Sequence, residues 1–113
     1  MSFGFIQNRA DFKARVLDAQ EPVIVKAGFE GCRPCKLIEP TFQELSRIHP
    51  EMSFLHVDVT DPQLEFYVKQ YKAFAVPHFQ FFYRGKAYNS SAVDSRALKT
   101  DIARFIQTIK TNR

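Results

Sequence analysis

Residues 27–40 read AGFEGCRPCKLIEP, and they contain both cysteines of the 113-residue chain. Cys32 and Cys35 flank Arg33 and Pro34, just beyond PVIVKAGF (residues 22–29). That run is short, apolar and β-branched before its glycine, as expected of a buried central strand. Pro34 suits the first turn of a following helix, where a missing N–H costs little. Leu37, Ile38, Phe42, Leu45 and Ile48 then recur at helical spacing, and Pro40 is expected to kink that helix. A close cysteine pair between a strand and a helix admits three readings: a redox couple, half of a metal site, or a short structural staple.

The chemistry of each reading weighs the residues differently. A structural zinc site needs about four ligands. Beyond its one CxxC the chain has three histidines, His49, His56 and His78, far apart in sequence and without a second paired half-site. A metal or cluster shared across a dimer interface stays open, although no metal is expected. A staple here would close a very short loop and add little chain-entropy stabilisation. In a reducing compartment a lone close pair is more often catalytic or metal-binding than structural.

Working outward, the pattern alternates strand and helix. Phe3 to Ile6 predicts a first strand, and Asn8 with Asp11 a helix start whose apolar face is Phe12, Val16 and Leu17. SFLHVDV (residues 53–59) predicts the next strand, and Asp61-Pro62 a helix with Leu64, Val68 and Tyr71 on one side. HFQFFY (78–83) and KAYN (86–89) flank Arg84-Gly85, a hairpin signal. Ser95 is expected to cap a last helix striped by Leu98, Ile102, Phe105, Ile106 and Ile109. The order is βαβαβαββα in one domain over residues 1–113: an α/β fold with a mixed sheet and helices on both faces.

Composition narrows the class. Apolar residues make up 45% of the chain, twelve of them phenylalanine, with no tryptophan; Lys plus Arg exceed Asp plus Glu by 16 to 12. Lys69, Lys72, Arg84 and Lys86 are candidates for a basic patch, but acidic residues are interspersed and no nucleic-acid motif or basic arm is present. No segment has the length of a membrane span. The N-terminus MSFGFIQNRADF shows no secretory signal, so the expectation is a cytoplasmic protein with no nucleic-acid or membrane partner.

VIVKAGFEGCRPCKLIEP, FLHVDV, AVPHFQFFYRGK and the closing helix together resemble the thioredoxin family over nearly the whole chain. CxxC followed by Lys36 and Pro40, with a later Val76-Pro77 step before an aromatic strand, carries the resemblance. It implies a thioredoxin fold and a thiol–disulfide oxidoreductase: Cys32 the nucleophile, Cys35 the more buried resolving cysteine, Pro34 setting the turn between them. It also implies a cis Val76-Pro77 bond for docking an extended peptide, with Gly31, His78 and Ala92 around it as substrate-binding positions. The implied partners are protein disulfide substrates and a thioredoxin reductase or other dithiol reductant. A monomer is expected, with no cofactor beyond the Cys32–Cys35 disulfide.

Several positions depart from the family. Gly31 stands where a tryptophan is usual and Gly28 where another aromatic is common; Phe29 and Phe79 are candidate replacements. Lys26 replaces a buried aspartate. A charged ammonium there favours thiolate and a more oxidising protein, a desolvated one a neutral amine, and a snorkelling one no role. Arg33 replaces glycine and adds positive charge at the helix start, or is simply solvent-exposed. Ala92 replaces a glycine and either narrows the groove or packs. His78, at a common threonine position, is read as an exposed spectator or a residue that contacts substrate or tunes the cysteines. These departures also suit a second reading, a thioredoxin-fold interaction subunit of a larger assembly, such as a ciliary dynein light-chain-like protein, with redox-sensitive docking.

Overall fold

Five strands form one sheet in the order β1-β3-β2-β4-β5. They are β1 (Phe3–Phe5), β2 (Val23–Gly28), β3 (Ser53–Asp58), β4 (His78–Tyr83) and β5 (Lys86–Asn89). A computed structural model provides this view and describes residues 2–111. β1 and β2 both run parallel to β3, while β4 runs antiparallel to β2 and β5 to β4. The apolar run 23–27 is therefore the middle strand, wholly buried from Val23 to Ala27.

Strand alternation splits the core into two layers. Ile24, Phe54, Phe79 and Phe81 face α2 (Arg33–Ile48) and α4 (Ser95–Thr111). Val25, Ala27, Leu55 and Phe82 face the other side, against α1 (Arg9–Phe12) and α3 (Glu65–Tyr71). The chain thus has the predicted order and the helices on both faces.

Local detail departs from the sequence expectation where one face of a helix is not covered. Leu37 and Ile48 belong to the predicted apolar stripe of α2 but are 68% and 58% exposed, so the buried stripe is Cys35, Ile38, Phe42 and Leu45. In α3 the fully buried residue is Tyr67, with Val68 and Tyr71 only partly covered. Asn8 caps α1 as expected, accepting from the Asp11 N–H at 2.8 Å, but the helix widens into a π-helical turn over Lys13–Leu17. Asp61 caps a 3₁₀ turn, Pro62–Leu64, that leads into α3. Ser95 does not cap α4: Asp94 accepts from the Ala97 N–H at 2.8 Å, and the Ser95 hydroxyl is instead hydrogen-bonded to Thr41 at 2.7 Å, tying α4 to α2. The hairpin is as read, with Arg84 (φ 51°) and Gly85 (φ 84°) both left-handed, the twist that a two-residue β-turn requires.

Candidate active site

The central strand delivers its C-terminal end to the cysteine loop. Cys32 is the N-cap of α2, in extended conformation, and its Sγ accepts the Cys35 N–H at 3.1 Å. Its carbonyl accepts from the Lys36 N–H at 3.2 Å and its own N–H donates to Phe29 O at 3.1 Å. Arg33 and Pro34 occupy the first two helical positions, both exposed, where orphan N–H groups and the positive end of the helix dipole lie. A thiolate formed at Cys32 is stabilised by that environment. Cys32 and Cys35 are joined by a disulfide, with Cα atoms 5.3 Å apart. The deeper burial expected of Cys35 is not found: joined by the disulfide, each cysteine is 5% exposed.

Gly28 lies directly beneath Cys35. A Cβ at that position would come 2.7 Å from Cys35 Sγ, so the glycine is what lets the second sulfur rest against β2. Gly31 has a different neighbour: a Cβ there would meet the Phe29 ring at 3.2 Å. Phe29, 40% exposed, therefore supplies the aromatic surface beside the first cysteine, whereas Phe79 is fully buried and supplies none.

Lys26 does not snorkel. Position 26 lies on the middle strand beneath α2, and the residue is only 5% exposed. Its Nζ donates to the Cys35 carbonyl at 2.9 Å and to Glu39 Oε1 at 2.5 Å. Glu39 in turn meets His56 Nε2 at 2.9 Å and accepts from Gln43 at 3.0 Å. Burial of Glu39 raises its pKa, but the hydrogen bonds from Lys26, His56 and Gln43 outweigh it, and the carboxyl lies below its ordinary 4.5. The Phe5 ring stacks on His56 at 4.7 Å, so β1 packs against the far side of the network. A 460 Å³ cavity bordered by Phe3, Phe5, Lys26, Cys35, Glu39 and His56 opens beside it. Glu39 and His56 were not found as site residues from sequence. One signal existed: Lys26 and His56 are the polar breaks in two apolar strands, and parallel pairing sets them side by side.

The Val76-Pro77 peptide is cis. Its position follows from register: His78 pairs with Ala27, so the proline adjoins the end of β2 that leads to the cysteines. Pro77 is buried and Val76 half-buried. His78 is no exposed spectator, nor does it face the cysteines; sharing the Ala27 face, it points away from α2. It is half-buried, its pKa lowered by desolvation, and its Nδ1 has no hydrogen-bond partner among the described residues. Ala92 packs, 3% exposed, into the layer beneath α2 and α4.

This fold with a CxxC disulfide capping α2 beside a cis-proline defines a dithiol–disulfide redox protein. A thioredoxin family model matches residues 4–108, and the chain belongs to the thioredoxin family. It is 34% identical to thioredoxin of Ovis aries over 106 residues, covering 89% of this chain and 96% of that one. It is 28% identical over 99 residues to the chloroplastic thioredoxin X of Arabidopsis thaliana, covering 86% of this chain but only 53% of that protein. Plasmodium falciparum thioredoxin superposes with a TM-score of 0.80 at 26% identity, covering 90% of this chain and 98% of that one. Its activity is that of the family, thiol–disulfide exchange on protein disulfides, with protein substrates and a reductant as partners in general. The interaction-subunit reading is not favoured by these likenesses or by the disulfide.

Proposed function

We propose that the chain reduces protein disulfides with Cys32 as the attacking thiolate and Cys35 as the resolving thiol. The placement of Cys32 at the N-cap of α2, bonded to a cysteine one turn on, carries this reading. Cys32 attacks one sulfur of the substrate, the second substrate sulfur leaves as thiolate, and Cys35 then displaces the first by bonding to Cys32. The electron pair is held by the two cysteines themselves, so no dissociable cofactor is needed. A thioredoxin reductase or another dithiol reductant returns the pair to the reduced state. Val76, Pro77 and Gly31 border the docking surface, with Phe29 in the aromatic role. The chain works as a monomer in the cytoplasm, a reducing compartment in which a lone close cysteine pair is catalytic more often than structural.

The test is insulin-disulfide reduction, driven by dithiothreitol and separately by a thioredoxin reductase, beside a Cys32→Ser control. Parent activity far above the control supports the assignment, and activity equal to the control overturns it.

A further inference from the structure

We propose that Lys26 is a cationic hydrogen-bond donor to the sulfur of Cys35 in the resolving step, positioned there by Glu39. The inference rests on the dithiol reading above and adds how the second sulfur becomes nucleophilic. Positions 24, 26 and 28 of β2 share one face, the one under α2 on which Ile24 packs. Cys35 Sγ lies over position 28, within 2.7 Å of where a Cβ would stand. The Lys26 ammonium reaches the same helical turn, 2.9 Å from the Cys35 carbonyl, and both side chains border one cavity. An ammonium has three N–H donors. Among the described residues two acceptors take up two of them, Cys35 O and Glu39 Oε1. The Phe42 ring centroid also lies 5.9 Å from Nζ, and the third N–H serves the thiolate that appears once the disulfide opens.

The surrounding charges fit this assignment. Glu39 and Lys36 border the cavity from α2, His56 and Asp58 from β3, and Glu30 from the preceding loop. Of these, Glu39 is hydrogen-bonded to Lys26, and its carboxylate also accepts from Gln43 and meets His56 Nε2, so it is held in place and anchors the ammonium. In the resolving step Cys35 gives its proton to solvent. Its thiolate, facing the Lys26 N–H, attacks Cys32 Sγ. The Cys32–Cys35 bond forms, the bond to the substrate sulfur breaks, and the departing substrate thiolate takes up a proton. The protein dithiol is oxidised by two electrons and the substrate disulfide reduced by two.

The test isolates Cys35 in a Cys32→Ser background and titrates its thiolate by far-ultraviolet absorbance, a readout independent of turnover. Adding Lys26→Met raises the midpoint by about one pH unit, and adding Lys26→Arg returns it toward the parent. Adding Glu39→Gln keeps an oxygen to anchor the ammonium but removes the negative charge, so the midpoint falls. Opposite shifts from Lys26→Met and Glu39→Gln support the proposal. A midpoint unmoved or lowered by Lys26→Met overturns it. So does one unmoved or raised by Glu39→Gln, which would assign that carboxylate a proton-accepting or packing role. Failure here with normal insulin reduction leaves the dithiol reading standing; loss of insulin reduction itself strikes that reading instead.

Discussion

At the scale of single residues, the active site is defined by close approach and by one reversed charge. Gly28 is at a position where the backbone conformation is ordinary, so its need is steric: Cys35 Sγ fills the space a methyl would take. Gly28→Ala therefore pushes the disulfide off the sheet. The oxidised form should lose more thermal stability than the reduced form, whose sulfur is free to turn away, and calorimetry of the two forms checks it. Lys72, by contrast, ends α3 in the left-handed region with φ 56°, a conformation that costs a non-glycine residue free energy. Lys72→Gly should gain about 0.5–1 kcal/mol in urea unfolding. The oddity of Lys26 was legible in the sequence because a lysine stands where the family resemblance implies a buried aspartate. Its partners were not, since Glu39 and His56 lie on other elements and meet it only through the parallel register and the seating of α2. Gly28 was read as a lost aromatic, because no local pattern announces that a sulfur arrives from a neighbouring helix.

At the scale of elements, capping and amphipathicity decide where the helices start and what they bury. Strands, hairpin and element order followed from periodicity and turn chemistry, the strongest local signals. Helix faces were less legible: Leu37 and Ile48 fit a 3.6-residue stripe, yet no element among the described residues covers that edge of α2. Phe42, fully buried between Phe54 and Phe79, is the central contact of the helix that carries the cysteines. The start of α4 was displaced by one residue because Asp94 and Ser95 are both competent caps, and Ser95 is drawn to Thr41 on α2. Asp94→Ala should cost about 1 kcal/mol in chemical denaturation. If Asp94→Ala costs nothing, the assignment of the cap is wrong.

For the whole molecule, the two core layers and the buried charges set how stability depends on pH. Glu39 has a lowered pKa in the fold, so the stability it contributes is complete above about 4.5 and is lost as pH falls through its folded value. Glu39→Gln should flatten that part of the acid-denaturation profile. Tyr67 is held well above its ordinary 10.0 by desolvation and then by Tyr71, and its hydroxyl has no hydrogen-bond partner among the described residues. Its contribution is present below pH 10 and is lost as pH rises beyond it, when the unfolded chain ionises and the folded one resists. Tyr67→Phe removes an unsatisfied buried hydroxyl, and should gain about 1 kcal/mol at neutral pH and reduce the alkaline loss. The central claim is the division of labour between the cysteines, which a trapping experiment tests most directly. Reduced Cys35→Ser, mixed with a disulfide-bonded protein and examined by non-reducing mass spectrometry, should accumulate a mixed disulfide at Cys32, while Cys32→Ser should not. Accumulation through Cys35 in the Cys32→Ser variant, with none through Cys32, would contradict the account.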